Sequence, residues 1–323
     1  MFKNNETLLN DFSKTRNLKD ISKQTYSYSI KLYCEFNDKS FPELIKEAEM
    51  EENQRIRWKY RTIKKRLINF RNYLTRKYKK NYVKSTFQRI ITVYKHYEIE
   101  IHSLPKQSEK NYNEPLPITY EDLPTKRIIK EAVMKSDPLM SSIILFMSSS
   151  GCARCETLNL TIKDLINATK EYHNSDNIYE VIADLEDKNN IIPIFKIRRQ
   201  KTNKYFHTFC SPQATREILK YLKTKDNLKN TDRIFNIPKS TFNKKFMKLN
   251  NEMELGKIGQ YNRFRSHMLR KFHATNLKND GMSLDDVNAM QGKSKKIVDE
   301  AYFFENPKKL REKYIKHLPA LTI

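Results

Sequence analysis

Apolar residues spaced alternately three and four positions apart recur through the first hundred residues, a pattern typical of amphipathic helices. Ser22 is a candidate N-cap of an early helix, and Ser40 followed by Pro42 marks another helix start. The clearest apolar stripe comprises Ile56, Tyr60, Ile63, Leu67, Phe70 and Leu74. Residues 1–105 are therefore predicted to form a helical unit.

The pattern changes further along the chain. Runs rich in β-branched and aromatic residues at 191–199 and 204–210 flank the polar sequence Gln200-Lys201-Thr202-Asn203, which predicts a β-hairpin. Helical periodicity predicts further helices at 122–136, 139–149, 211–223, 239–249 and 307–318. The predicted fold class is mainly α with a small β-hairpin, an α+β arrangement.

A polar segment with several prolines separates two regions of regular pattern. Residues 106–118 lack helical or strand periodicity, which favours a linker. A chain of 323 residues is long enough for two domains of about 100 to 200 residues each. We expect a domain at 1–105, a linker at 106–118 and a second domain at 119–323.

Charge narrows the range of partners. The chain has 62 Lys and Arg against 38 Asp and Glu, a net charge of +24, so a polyanion is the expected partner. Residues 51–95 hold 15 Lys and Arg but two acids, and such density favours contact with a DNA backbone over a merely solvated face. The candidate DNA-binding residues are Arg57, Arg61, Lys64, Lys65, Arg71, Lys244 and Lys245.

Cysteine usage and hydropathy point to an intracellular protein. Four cysteines do not make a disulfide framework in a chain of this length, and the pair Cys152 and Cys155 lacks the further ligands of a zinc site. The longest apolar run, near 143–147, falls far short of the ~20 residues that span a bilayer, and no signal peptide opens the sequence. We expect a cytoplasmic, nucleoid-associated protein without metal or cofactor.

Two residues that suit phosphate chemistry lie three positions apart on a predicted helix. His267 and Arg270 would project from one helix face, where arginine can bind two phosphate oxygens and histidine can exchange a proton near neutral pH. Gly292-Lys293 adds a further phosphate-binding side chain, and Tyr302 follows nine residues later. A single His-x-x-Arg pair is usually a solvated surface feature, so the evidence lies in the whole set.

That set resembles the second conserved box of the tyrosine recombinase family, the phage-type and archaeal-type integrases. His267, Arg270, Gly292-Lys293 and Tyr302 occur in the family's order, and the sequence 272–275 resembles the tail of that box. The resemblance is specific over roughly residues 140 to 305. It implies a helical core-binding domain followed by a catalytic domain, with Tyr302 as the nucleophile.

The first box of the family resembles residues 149–160, with one departure. The family's arginine would fall at Ala153, whereas this chain has Arg154 one residue later. Either the local turn is re-spaced so that Arg154 still reaches the phosphate, or the site is impaired. Glu156 is expected to support arginine or histidine side chains. In the hairpin, the resemblance implies a mobile catalytic lysine, Lys201, with Lys204 as the alternative.

The resemblance implies a site-specific recombinase or integrase that cuts and rejoins DNA through a phosphotyrosyl intermediate, without metal or ATP. His267 would be the general base and Lys201 the general acid. Fixed positive charge would come from Arg154, Arg270 and Lys293.

The same resemblance implies double-stranded DNA as the partner, a tetramer on DNA and a viral or other mobile-element origin. The apolar tail 318–323 either packs on its own domain or docks on a neighbouring subunit. The alternatives are a type IB topoisomerase-like enzyme, a non-catalytic DNA-binding protein on the same fold, and an RNA-binding structural protein.

Overall fold

The computed structural model describes residues 2–106, 117–199, 202–293 and 306–323. The chain divides into two compact units, Met1–Pro115 and Leu116–Ile323. Most of the predicted linker, 106–118, lies outside the described residues.

The regular structure of the first unit is helical over its described residues, 2–106. Its core is built around large aromatic side chains, and the Tyr33 and Tyr94 hydroxyl groups lie 3.2 Å apart in the buried centre. The helices are α1 (Phe2–Thr15), α2 (Asp20–Asn37), α3 (Phe41–Asn53), α4 (Thr62–Lys77) and α5 (Lys80–His96). At the start of α3, the Ser40 N–H donates to Glu43 Oε2 at 2.7 Å, so the predicted helix start is a capping box.

The apolar stripe predicted from Ile56 to Leu74 begins later than expected. Helix α4 starts at Thr62, and Tyr60 lies in a short 3-10 turn with 65% of its surface exposed. The Thr62 N–H donates to the Glu51 carboxylate at 2.8 Å, which satisfies one of the unpaired donors at the start of the helix. From there, the four buried positions Ile63, Leu67, Phe70 and Leu74 follow the predicted spacing.

The second unit combines helices with two short antiparallel sheets. Its helices are α6 (Lys126–Met134), α7 (Pro138–Ser150), α8 (Arg154–Asn159), α9 (Ile162–Ala168), α10 (Ile178–Glu186), α11 (Pro212–Lys223), α12 (Lys239–Glu252), α13 (Ser266–Asn279), α14 (Leu284–Met290) and α15 (Pro307–His317). Its strands are β1 (Ile194–Arg199), β2 (Lys204–Phe209), β3 (Lys257–Ile258) and β4 (Tyr261–Asn262). Strands β1 and β2 pair from Ile194 with Phe209 to Arg199 with Lys204, which confirms the predicted hairpin.

Helix α7 lies at the centre of this unit. Residues 140–150 are all buried, and α6, α11 and α13 pack against the helix. The hydroxyls of Ser142, Ser148 and Ser149 donate to carbonyls of their own helix, as Ser149 Oγ does to Leu145 O at 2.7 Å, and Ser141 Oγ donates to Val133 O of α6. The polar side chains are therefore satisfied within an apolar core.

The sequence interpretation missed several details of this unit. The predicted helix 122–136 is shorter and begins at Lys126, because the Thr125 hydroxyl caps it by accepting from Ile128 N. Helices α9 and α10 and strands β3 and β4 were not predicted, and α10 precedes the hairpin.

The C-terminal helix and tail pack on their own unit. Leu310, Tyr314 and Leu321 are buried in its hydrophobic core, and Ile323 packs against that core. Of the two alternatives left by the sequence, this structure has the tail on its own domain. None of the helices in the described ranges is long and apolar enough to cross a membrane.

Candidate active site

A cavity of about 930 Å³ in the second unit brings together residues from α8, α12 and α13. Among the described residues, its lining holds no Asp or Glu. The basic side chains that line it are Arg154, Arg233, Lys239, Arg265, His267, Arg270 and Lys271. A cavity of one charge sign concentrates anionic ligands.

Arg270 on α13 is held rigidly at the cavity wall. Its Nη1 donates to Gly151 O at 2.5 Å, and its Nη2 donates to Gln291 O at 2.6 Å. The guanidinium therefore bridges the loop before α8 and the turn after α14. Burial is the main cause that lowers the pKa of Arg270, and the positive charge of Arg199 acts in the same direction.

Beneath Arg270, the backbone at Gly151 lies so close to the His273 ring that only glycine fits. Gly151 ends α7 with φ +65°, and a Cβ there would lie 2.5 Å from His273 Nδ1. His273 is fully buried, and burial lowers its pKa to about 3, so the imidazole is neutral. Its Nδ1 lies 3.2 Å from Gln291 Nε2. His273 is a packing residue rather than part of the cavity wall.

His267 and Arg154 meet at the same cavity. Burial, with the charges of Lys271, Arg265 and Arg270, holds the pKa of His267 below its ordinary value, so its ring is neutral at neutral pH. Arg154 is the first residue of α8 and donates to Asn243 Oδ1 at 2.7 Å. Arg154 therefore lines the cavity with His267 and Arg270 despite its shifted position in the sequence.

Glu156 lies behind the cavity wall. It is 8% exposed, and its Oε2 has no hydrogen-bond partner among the residues that the structure describes. Its charge raises the pKa of Arg270, against the larger effect of burial. The carboxylate thus stabilises positive charge at Arg270 without lining the cavity.

Lys293 follows the turn at the end of α14. Its N–H donates to Asn288 O at 2.9 Å, and the preceding carbonyl of Gly292 accepts from Arg199 Nη1. Burial, and then the charges of Arg270 and Arg199, lower the pKa of Lys293. The charge of Arg270 thus acts on this exposed lysine, which does not line the cavity.

The two remaining predicted catalytic residues, Lys201 and Tyr302, lie outside the described residues. Their roles stay predictions, as do the catalytic roles of Arg154, His267, Arg270 and Lys293. Lys204, the alternative to Lys201, begins strand β2 and is exposed.

The predicted DNA-binding residues of the first unit differ in their surroundings. Arg57 and Lys65 are exposed, and Lys64 is partly exposed. Arg71 is partly buried and donates to Pro105 O at 2.8 Å. The surroundings of Arg61 do not favour the expected contact with the DNA backbone. It is 8% exposed, and its Nη1 binds Glu52 Oε1 at 2.7 Å, so it stabilises the entry to α4.

The two predicted DNA-binding lysines of the second unit lie on α12. Lys244 is exposed, whereas Lys245 is paired with Asp137 at the start of α7. Lys244 is thus the more accessible of the two to a phosphate.

Sequence reasoning missed several side chains of the cavity. Arg265 lies just before α13, stacks over the Tyr261 ring at 4.5 Å and donates to Asn262 O at 3.0 Å. Lys271 could have been found, because it is one helical turn after His267. Arg233, Lys239 and Asn243 come from a different part of the chain, and no local pattern marks them.

Residues 125–308 match the phage integrase family. No protein of curated function matches the chain significantly in sequence. Among solved structures, the chain is similar to the site-specific recombinase XerH bound to a palindromic difH substrate in a post-cleavage complex, with 17% identity, a TM-score of 0.54, and 95% of this chain and 83% of that one covered. It is also similar to the Tn1549 transposon integrase (residues 82–397) in complex with circular intermediate DNA, with 12% identity, a TM-score of 0.55, and 97% and 98% covered.

These likenesses establish the fold, and the family match covers more than half of the chain. The family match identifies the chain as a tyrosine recombinase. The chain belongs to the phage integrase family.

Proposed function

We propose that the protein is a site-specific recombinase that cleaves and rejoins duplex DNA, with Tyr302 as the nucleophile. The observation that carries the proposal is the cavity where Arg154, His267 and Arg270 meet without an acidic residue in its described lining. A phosphodiester accumulates negative charge as it is attacked, and fixed cationic donors stabilise that charge. The neighbouring folds, solved with DNA as recombinase and integrase complexes, support the same substrate.

Each predicted residue has a role in this reaction. Tyr302 attacks the scissile phosphorus, its phenolic proton goes to neutral His267, and Lys201 gives a proton to the leaving 5′ oxygen. Arg270 and Arg154 bind the non-bridging oxygens, and Lys293 adds charge beside Arg270. The bond energy is kept in the phosphotyrosine, so the reverse attack by a 5′ hydroxyl rejoins the strand without ATP.

The test is a covalent trap on a nicked duplex whose cleaved fragment diffuses away. The wild-type protein should form a denaturation-resistant DNA adduct, and Tyr302→Phe should bind the same duplex without forming it. A neighbouring substitution, Phe303→Leu, serves as the control and should retain the adduct. If the wild-type protein binds DNA but forms no adduct on duplexes that present candidate sites, the protein is a non-catalytic DNA-binding member of the fold.

The recombinase reaction joins two duplexes, so we propose a tetramer on DNA. The C-terminal helix α15 and its tail are the proposed exchange element. Because Leu310, Tyr314 and Leu321 are buried in their own unit, exchange would require the helix to leave this position. Sedimentation with and without DNA, on the full chain and on a chain that ends at 317, tests the contribution of the tail.

The biological setting that fits this activity is a mobile element, such as a virus or provirus, with the protein bound to the nucleoid. Excision or integration of a marked element in cells with and without the gene would test this setting.

A further inference from the structure

The turn that carries Lys293 is held by two arginines from different elements. Consecutive carbonyls, those of Gln291 and Gly292, accept from Arg270 Nη2 and Arg199 Nη1 respectively. Arg270 belongs to α13, whereas Arg199 is the last residue of β1. The position of the turn therefore depends on the β-hairpin as well as on α13.

The second strand of the hairpin touches the same turn. Gly292 has φ +59°, and a Cβ there would lie 2.6 Å from Cδ1 of Phe206 on β2. Such a separation is too short for any side chain, so the backbone of the turn lies directly on the Phe206 ring. Both strands of the hairpin thus contact one residue, the one before Lys293.

The hairpin also contributes charge. In the described parts of the chain, Arg199, Arg270 and Lys293 form no ion pair with an acid, and backbone carbonyls hold the two arginines instead. Carbonyls orient a guanidinium without cancelling its charge. Together with Lys293, the two arginines concentrate positive charge that attracts an anion.

A purely structural role for Arg199 would be to satisfy one carbonyl at the end of a strand. Two observations favour a further role for Arg199 in positioning Lys293. The accepting carbonyl belongs to the residue before Lys293, and the charge of Arg199 acts on both Lys293 and Arg270. The sequence also places Lys201, the proposed proton donor, two residues after Arg199.

We propose that Arg199 is a positioning residue for strand cleavage, which clamps the Gly292-Lys293 turn to the hairpin and orients Lys293 toward the scissile phosphate. The inference rests on the proposed recombinase function. The Arg199 hydrogen bond would hold the hairpin and the turn in a fixed relative position, so that Lys293 and the hairpin loop approach the DNA together. Arg199 itself need not touch the substrate.

The first test is the single-turnover rate of adduct formation on the nicked duplex. Arg199→Ala should slow cleavage by about 10- to 100-fold, the usual effect of losing a residue that orients a reactive group. Arg199→Lys should recover part of the rate, because a single ammonium can still reach one carbonyl. Arg198→Ala, the exposed neighbour on the same strand, is the matched control and should cleave like the wild type.

The second test is a titration that does not depend on cleavage. Removing the positive charge of Arg199 favours the protonated form of Lys293, so Arg199→Gln should raise the pKa of Lys293 in the free protein. NMR of lysine labelled with ¹³C at Cε, assigned with Lys293→Arg, measures this shift. The alkaline limb of the cleavage rate should move to higher pH in the same variant.

The outcomes separate this inference from the proposed function. If the wild-type protein forms no adduct, the function fails, and the titration still tests the clamp. If the wild-type protein forms the adduct and folded Arg199→Ala and Arg199→Gln match its rate and its Lys293 titration, the positioning role is refuted. A loss of rate that is the same in Arg198→Ala would also refute it.

Discussion

Arg270 joins three parts of the second unit, so replacing it should reduce stability and cleavage together. Arg270→Ala removes the donors to Gly151 O and Gln291 O, which lie in buried residues. A buried acceptor that loses its partner costs about 1–3 kcal/mol, so the free energy of unfolding should fall by roughly 2–6 kcal/mol. For a unit of this size, that corresponds to a drop in Tm on the order of 10 °C.

The cleavage rate should respond more strongly than the stability. Loss of one donor that stabilises a developing oxyanion lowers a rate by about 10²- to 10³-fold. Arg270→Lys keeps the charge but has a single terminal nitrogen, so it should lie between the wild type and the alanine variant in both measurements. Calorimetry gives Tm, and the covalent trap, run below the Tm of every variant, gives the rate.

Arg265→Ala is the matched control, because Arg265 lines the same cavity but bonds to a single carbonyl, Asn262 O. It should be less destabilised than Arg270→Ala. The reasoning is refuted if Arg270→Ala unfolds within about 0.5 kcal/mol of the wild type, the range of ordinary surface substitutions. It is also refuted if that variant cleaves within about tenfold of the wild-type rate.

Three further predictions follow from the same unit. Asn243→Ala removes the 2.7 Å hydrogen bond that orients Arg154. If Arg154 acts on the phosphate, the cleavage rate should fall by about tenfold. An unchanged rate of adduct formation would count against that role. Because burial lowers the pKa of His273 to about 3 while the unfolded value is near 6.5, protonation favours unfolding, and stability should fall by up to about 1.4 kcal/mol per pH unit from pH 6.5 downward. Denaturation at several pH values should show this slope in the wild type and a smaller one in His273→Gln. Because the pKa of His267 is held below its ordinary value, the acid limb of cleavage should lie below pH 6.5, and a limb above that value would contradict a neutral base.

The sequence predicted those parts of the fold that depend on local pattern. The stripe from Ile63 to Leu74 and the paired strands of the hairpin are where periodicity placed them. Predicted helix boundaries were wrong where a distant side chain determines them. Helix α4 starts after Tyr60 because Glu51 caps it, and this contact forms only once the chain has folded back. No local pattern contains that information.

The site was predictable to a similar degree. His267 and Arg270 were found because helical spacing alone puts them on one face. The placement of Arg154 depends on Asn243, which is 89 positions away in the sequence, and the contact of Arg199 with Gly292 spans 93 positions. Such contacts are products of the tertiary fold.

The Tyr314 hydroxyl donates to Ser149 O at 2.9 Å, two residues before the glycine whose carbonyl binds Arg270. Helix α15 is thereby attached to the same bend that holds the Arg270 guanidinium. Pulling that helix away, as an exchange of tails between subunits would do, would also loosen the bend. Subunit assembly and the activity of the cleavage site would then be coupled through the Tyr314 hydrogen bond.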